Sequence, residues 1–262
     1  MESIGNLWLY LVFFAIVAVM LAIDFLGFKQ KEGESVKVKT AAYCSIACVS
    51  VAALFGGGLW LYLKHNVGLE VANTKVMEYF AGYLLEKSLA IDNVFVWMMI
   101  FSFFAVPLEL QRRVLLYGIV GAIVLRTVMI FVGSWLINEF HWLLYIFGAF
   151  LIVTGIKMAW FSEHDPNLEK NPFVRWLRNH YPVTEKLEGE RFFVMRDGVR
   201  MMTPLFLALV LVEISDVIFA VDSIPAVFAI TTDPFIVLTS NLFAILGLRA
   251  MYFLLAGAAE RF

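Results

Sequence analysis

Apolar runs of about 20 residues recur along this sequence, and that is the length an α-helix needs to cross the hydrocarbon core of a bilayer. Apolar residues make up 61% of the 262 residues and charged residues 16%, with a mean hydropathy of +0.82, so the chain is more apolar than soluble domains are. We therefore expect an all-α polytopic membrane protein with about seven transmembrane helices. The predicted spans are Leu7–Phe28, Thr40–Leu63, Val76–Phe104, Arg113–Ile137, Trp142–Phe161, Pro204–Ala229 and Phe235–Ala259.

Lysine and arginine are concentrated in alternate connectors between these spans. The first connector carries four lysines within residues 29–39, the third carries Arg112 and Arg113, and the fifth carries seven basic residues within 162–203. Because such residues accumulate on the cytoplasmic side, we expect the N-terminus on the outside of the membrane. The net charge is only -2 and there is no basic stripe, which argues against a nucleic-acid partner and leaves membrane lipids as the expected surroundings.

The fifth connector is the only long hydrophilic stretch between spans. Within it, PFVRWLRNHY predicts a short amphipathic helix at the membrane surface. The pair Asp197-Gly198, flanked by apolar and β-branched residues, predicts a type I′ hairpin. We interpret both as connectors that cap the cytoplasmic face of a single transmembrane domain spanning residues 1–262.

Two segments of the sequence resemble each other. LAIDNVFV resembles FAVDSIPAVF, so that Asp92 matches Asp222. The residue that follows can form hydrogen bonds in both copies, being Asn93 in one and Ser223 in the other.

The match continues in the next predicted span of each segment, where Arg126 in AIVLRTVMIFVG corresponds to Arg249 in FAILGLRAMYFLLAG. The copies are three spans apart and therefore oppositely oriented, which predicts an inverted-topology repeat of about residues 76–161 and 203–262. In transporters with such repeats the substrate binds between the halves near the middle of the membrane. The stretch LAID that ends at Asp24 also matches, but we expect that residue at the membrane interface.

Ionisable residues inside the predicted spans are the strongest functional signal, since a charge at the centre of a membrane helix costs roughly 2.5–3.5 kcal/mol. Acids outnumber bases there by two, an excess that one divalent cation would neutralise. Carboxylate and amide oxygens suit hard ions such as Mn²⁺, Mg²⁺ or Ca²⁺. The predicted metal ligands are Glu86, Asp92, Glu213, Asp216 and Asp222, with Asn93 and Ser223 as auxiliary ligands, and the predicted charge-balancing residues are Lys87, Arg126 and Arg249.

On a continuous helix these ligands cannot all face one site. Glu213 and Asp222 are nine residues apart, which at about 100° per residue places them on opposite sides of a helix. A break between Asp222 and Pro225 would bring them together, and Asp92-Asn93 predicts a similar break in the third span. Broken helices would also free backbone carbonyls as further ligands.

Other interpretations of these charges stay open. The bases could pair with the acids as electrostatic connections between the helices of a membrane scaffold or assembly factor, and lone acids would also suit export of a basic amino acid. The sequence has no nucleophile–base pair and no zinc motif of the kind that points to an enzyme, and we expect no cofactor. We interpret Cys44 and Cys48 as packing residues.

At the residues that carry these charges, the sequence resembles the TerC family of membrane proteins. The resemblance covers essentially the whole chain and is carried by EKSLAIDNVFVW, LQRRVLLYGIVGAIVLRT, LVEISDVIFAVDSIPAVFAITTDPF and SNLFAILGLRAMYFLLAG. It implies a manganese exporter of the bacterial cytoplasmic (inner) membrane that is related to the lysine-exporter superfamily, with the five acids at the acidic positions of the family. Combined with the repeat, it leads us to expect a secondary transporter that exports Mn²⁺ by alternating access, with protons as the counter-ion. Family members usually continue for about two more membrane segments, so the resemblance also predicts helices beyond Phe262.

Overall fold

A computed structural model describes residues 3–27, 38–160, 180–196 and 198–259 of the chain. Within these residues every predicted span is helical. The predicted amphipathic helix lies almost entirely outside the described residues. The elements are α1 (Leu7–Gly27), α2 (Val38–Asn66), α3 (Leu69–Phe103), α4 (Leu108–Glu139), α5 (Leu143–Trp160), β1 (Phe193–Arg196), β2 (Val199–Met202), α6 (Pro204–Phe228), α7 (Pro234–Leu246) and α8 (Leu248–Ala259).

Five segments of the described chain are long and apolar enough to cross a membrane, namely most of α1, α2, α4 and α6, and α7 together with α8. The apolar part of α5, Leu143–Ile156, is shorter. Helix α3 is the longest, at 35 residues, but it carries acidic and basic residues along its length. The chain is thus a multi-pass helical membrane protein, and the crossing of the membrane by α3 and α5 stays a prediction.

The prediction that the helices of the third and sixth spans are broken is wrong. Helix α3 runs without interruption through Asp92 and Asn93, and α6 runs through Asp222 to Phe228 with Pro225 inside it. Because this proline lies in the last turn, its missing N–H leaves only one carbonyl of the helix without its usual donor. The last predicted span is divided instead, since α7 ends at Leu246 and α8 begins at Leu248.

Helix α7 forms the centre of the bundle. All its residues from Phe235 to Leu246 are buried, and it packs against α3, α4, α2 and α1. The outward surfaces of the other helices carry large apolar side chains, such as Leu54 at 75% and Tyr145 at 82% exposure. In a soluble protein such a surface would be unstable, whereas in a bilayer the lipid tails cover it.

Helices α3 and α7 run parallel to each other. Gly82 lies against the side chain of Ser240, and one and a half turns later the Lys87 ammonium donates a hydrogen bond to the Ala244 carbonyl, 3.2 Å away. Small residues at such positions allow membrane helices to approach closely. Gly82 also touches Val227, near the C-terminal end of α6.

Helices α4 and α6 also run parallel, because Gly118 touches Val212 near the start of α6 and Gly133 touches Phe228 at its end. In the predicted repeat the third span corresponds to the sixth, and the fourth span corresponds to the seventh. A two-fold axis that exchanged the two copies would therefore convert the contact between the third and seventh spans into the contact between the sixth and fourth spans. Both contacts are parallel.

The two strands form an antiparallel hairpin in which Arg196 is opposite Val199. Gly198 has a φ of +77°, a conformation that glycine adopts without strain. The adjoining Phe192 ring packs edge-on against Tyr117 of α4 at 5.4 Å between centroids. This contact places the hairpin beside the N-terminal part of α4.

Candidate functional site

A buried arginine forms the centre of the candidate site. Arg126, in the middle of α4, has no exposed surface. Its Nη2 donates to Asp216 Oδ1 at 2.8 Å and its Nε to Asp216 Oδ2 at 3.2 Å, so the guanidinium holds this carboxylate at both oxygens. Its Nη1 donates to Glu86 Oε1 and, at 3.0 Å, to Asn241 Oδ1.

Each of the four central helices contributes to this arrangement, which we call the Arg126 cluster: Glu86 from α3, Arg126 from α4, Asp216 from α6 and Asn241 from α7. All four residues are at most 1% exposed. A charge so deep in a membrane bundle must be paired, because desolvation penalises an isolated ion heavily. The cluster therefore fixes the relative positions of these helices as well as concentrating charge.

Glu213 belongs to the same region. It precedes Asp216 by three residues on α6, so the two carboxylates share a face of the helix. Arg126 pairs with Glu86 and Asp216, and Glu213 lies one helical turn from Asp216, so this region carries a negative excess when all three acids are ionised. Glu86 Oε2 and Glu213 Oε2 are buried and have no hydrogen-bond partner among the described residues.

Asn93 and Ser223 lie on either side of the Arg126 cluster. Glu86 and Asp216 lie at the same height along the bundle axis because they bind the same guanidinium. Asn93 follows Glu86 by seven residues and Ser223 follows Asp216 by seven, a rise of about 10 Å in each helix. Gly82 of α3, which precedes Glu86, contacts Val227 of α6, which follows Asp216, so the two helices are antiparallel. Asn93 and Ser223 therefore lie in opposite directions from the cluster along the bundle axis.

Both of these side chains are buried polar groups without a partner in the part of the chain that the structure describes. Asn93 is 1% exposed and Ser223 is 2% exposed, and the Asn93 Oδ1 and Ser223 Oγ atoms form no hydrogen bond there. Leaving such a group unpaired costs about 1–3 kcal/mol. Polar groups with this cost in a membrane interior are typical of water or ion paths.

The five predicted carboxylates do not converge on one point. Asp92 is exposed on the surface of α3, and Asp222 is partly buried on the side of α6 opposite to Glu213. The reason is the continuity of both helices, which keeps the angular separation that the expected breaks would have removed. Across the described residues, no group of three or more His, Cys, Asp or Glu side chains is arranged to hold a metal ion. A metal-ligand role for the five acids stays a prediction.

The other two predicted charge-balancing residues form hydrogen bonds with partners outside the cluster. Lys87 donates to a backbone carbonyl of the last turn of α7, where the negative end of the helix dipole favours a cation. Arg249 Nη2 binds Asp24 Oδ1 at 2.5 Å and the Asp24 carbonyl at 2.9 Å, which ties α8 to α1.

Two residues of this network were absent from the predicted site. Asn241 was not predicted because it lies within the apolar run SNLFAILGLR, although a polar residue in a membrane span itself indicates a functional role. Asp24 was expected at the interface, yet it pairs with the buried arginine of α8. Its match to the repeated LAID sequence was the available signal.

Opposite ends of the bundle are closed by polar contacts. At one end Asp233 caps α7 by accepting from Phe235 N at 3.0 Å, and it also accepts from Ser3 Oγ at 2.8 Å. At the other end the Tyr252 hydroxyl donates to Gln111 Oε1. We call these the Asp233 end and the Gln111 end.

Apolar helices around a buried ionic cluster define an integral membrane protein. Residues 71–262 match the model of the Integral membrane protein TerC family. The chain belongs to this family, as the resemblance in its charged stretches predicts.

Curated relatives cover the whole chain. A protein from Photorhabdus laumondii that carries the name membrane-bound redox modulator Alx is 59% identical over 262 residues, which are 100% of this chain and 82% of the relative. Its namesake from Escherichia coli K12 is 57% identical over the same shares. An uncharacterized membrane protein from Myxococcus xanthus is 46% identical over 99% of this chain and 79% of its own length. No solved structure matches the chain.

Proposed function

We propose that this protein is a secondary transporter that exports Mn²⁺ from the cytoplasm by alternating access. The observation that carries the proposal is the Arg126 cluster, in which carboxylates outnumber the single guanidinium inside a membrane bundle. Buried carboxylate oxygens without partners, such as Glu86 Oε2 and Glu213 Oε2, are the ligand type that a hard divalent cation uses. The preference for manganese over magnesium or calcium rests on the TerC resemblance.

In this proposal Arg126 and the transported ion compete for the same acids. Arg126 holds Asp216 at both oxygens and Glu86 at one, so a cation that binds Asp216, or the Arg126-bound oxygen of Glu86, must weaken one of these pairs. When the ion leaves, the guanidinium returns and prevents two carboxylates from remaining buried without a counter-charge. Such an exchange would couple ion binding to the positions of α3, α4 and α6.

The relation of the helices supports an inverted repeat. Contacts of α3 with α7 and of α4 with α6 are both parallel, as a two-fold exchange of the copies requires. The unpaired polar groups of Asn93 and Ser223 lie at equal steps on opposite sides of the cluster, where they would serve an ion moving toward either membrane face. The polar contacts at the Asp233 end and the Gln111 end are the candidate gates, and the predicted topology places the Asp233 end outside.

Proton exchange follows from the excess of acids. A carboxylate that loses a divalent ion in a low-dielectric interior favours protonation, because burial disfavours the charged form. Export of one ion would then be accompanied by uptake of protons at the cluster. If manganese flux in proteoliposomes left the internal pH unchanged under every gradient, proton coupling would be refuted.

The direct test is transport by the purified protein in proteoliposomes with a manganese-sensitive dye inside. We expect Mn²⁺ flux from the wild type and loss of flux from Glu86→Gln and Asp216→Asn. Glu139→Gln is the matched control, since this glutamate lies exposed at the end of α4. Equal flux in the control and in both cluster variants would refute the assignment of the site.

The same assay tests the two acids outside the cluster. The sequence predicts that Asp92→Asn and Asp222→Asn abolish export while the protein remains in the membrane. Normal flux in both variants would count against the predicted five-acid metal site.

A second candidate is a membrane scaffold or assembly factor in which the charges only connect helices. The bidentate Arg126–Asp216 pair favours it, because such a pair needs no ligand to explain it. In that case Asp216→Asn would lower the amount of protein in the membrane, and the purified wild type would transport no manganese.

Adding lysine as a competitor in the flux assay tests export of a basic amino acid. The redox role in the relatives' name is tested by whether flux depends on Cys44 and Cys48, both free thiols outside the Arg126 cluster.

A further inference from the structure

Glu213 differs in its partners from Glu86 and Asp216, the two acids of the Arg126 cluster. Asp216 accepts two hydrogen bonds from Arg126 and Glu86 accepts one. Glu213 forms no salt bridge and no side-chain hydrogen bond within the described residues, and its Oε2 is buried. Of these three acids, it is the one for which the described residues show neither oxygen bound to Arg126, so an arriving cation could bind both of its oxygens without displacing the guanidinium.

The carboxylate of Glu213 lies directly on the backbone of α4 at Gly121. A Cβ atom at position 121 would lie 2.5 Å from Glu213 Cδ and would overlap the carboxylate oxygens. No other glycine of α4 touches a charged side chain, since Gly118 meets Val212 and Gly133 meets Phe228. The absence of a side chain at Gly121 therefore creates the space that the carboxylate fills.

We propose that Glu213 is the carboxylate that first binds the divalent cation, and that Gly121 is the positioning residue that fixes it beside the Arg126 cluster. This inference rests on the proposed function. Gly121 and Arg126 are five residues apart on α4, so the same helix places both the charged partner of Asp216 and the wall behind Glu213. The cation would bind at the Glu213 oxygens and then draw on Asp216 one turn away.

A methyl group at position 121 should move the carboxylate with little damage to the fold. The overlapping atoms are at the free end of a flexible glutamate side chain, which can rotate away. Mutation of a group that orients a metal ligand typically lowers the metal affinity about 10–100-fold. A shorter acid would restore the fit, since aspartate withdraws the carboxylate by one methylene.

The experiment measures the rise in melting temperature of the detergent-purified protein as MnCl₂ is added. We expect Gly121→Ala to melt close to the wild type without metal and to need at least about tenfold more Mn²⁺ for the same stabilisation. The double variant Gly121→Ala with Glu213→Asp should recover most of the affinity lost. Gly148→Ala is the control, since a Cβ there would touch nothing within 4 Å.

The outcomes separate this inference from the proposed function. A wild type that Mn²⁺ does not stabilise refutes both. A wild type and a Gly121→Ala variant that respond equally refute the role of Gly121 alone, and a Glu213→Gln variant with wild-type affinity refutes the role of Glu213 even if the glycine variant does not fold. An affinity loss in Gly121→Ala that the shorter acid does not recover would show that the effect does not act through Glu213.

Discussion

Replacement of Arg126 by glutamine should be the most damaging single change to stability. The side chain is fully buried and donates hydrogen bonds to Asp216, Glu86 and Asn241. Removing one partner of a buried ionic network costs about 3–5 kcal/mol, because the remaining charges stay desolvated without compensation. At about 2–4 °C per kcal/mol for a chain of this size, the melting temperature should fall by roughly 6–20 °C.

The assay is thermal denaturation of the purified protein, followed by the loss of the monodisperse fraction. Arg113→Gln is the matched control, because Arg113 and Glu190 form a salt bridge with side chains 36% and 56% exposed. A pair so accessible contributes less than about 1 kcal/mol. Neutralising the network in the triple variant Glu86→Gln, Arg126→Gln, Asp216→Asn should recover much of the loss, since no unpaired charge remains. If Arg126→Gln melted within about 2 °C of Arg113→Gln, the buried network would not support the bundle as argued.

The remaining predictions concern contacts between helices. Asp233→Ala should lower the free energy of unfolding by about 1–2 kcal/mol, because it removes the cap of α7, and it should speed proteolysis near the N-terminus. Asp233→Asn should keep most of the cap. Equal proteolysis rates for both variants and the wild type would contradict this prediction. Lys87→Met should lower the melting temperature because a carbonyl in the last turn of α7 loses its charged donor, and a variant as stable as the wild type would show that this hydrogen bond does not matter. Asp24→Asn should destabilise less than Arg126→Gln, since Asp24 is 25% exposed; a larger fall in melting temperature would reverse this ranking of the two ion pairs.

The membrane class and the positions of the helices could be read from the sequence, because hydrophobic length is a local property. The predicted span Pro204–Ala229 has the necessary hydrophobic length without reference to any other segment, and the observed helix is Pro204–Phe228. The hairpin loop at Gly198 is equally local, since one glycine conformation defines it. The charged stretches also identified the TerC family, which the match over residues 71–262 shows.

The helix breaks could not be predicted in this way. Asp222 and Pro225 are residues typical of a helix start, but packing of the surrounding helices keeps α6 continuous. The chain instead divides at Gly247, where the missing side chain leaves room for the Lys87 ammonium, which would lie 2.8 Å from a Cβ. Local propensity contains no information about such a neighbour.

The sequence alone determined that ionisable side chains would lie inside a membrane and which residues those would be, because charge and hydrophobic length are fixed by the order of amino acids. Only the tertiary structure decided which acid meets which base. Arg126 forms salt bridges with Glu86 and Asp216, which are 130 residues apart, whereas Arg249 forms a salt bridge with Asp24 outside the cluster. The physical reason is that pairing depends on the rotation and direction of each helix against its neighbours, and these are set by the packing of the whole bundle.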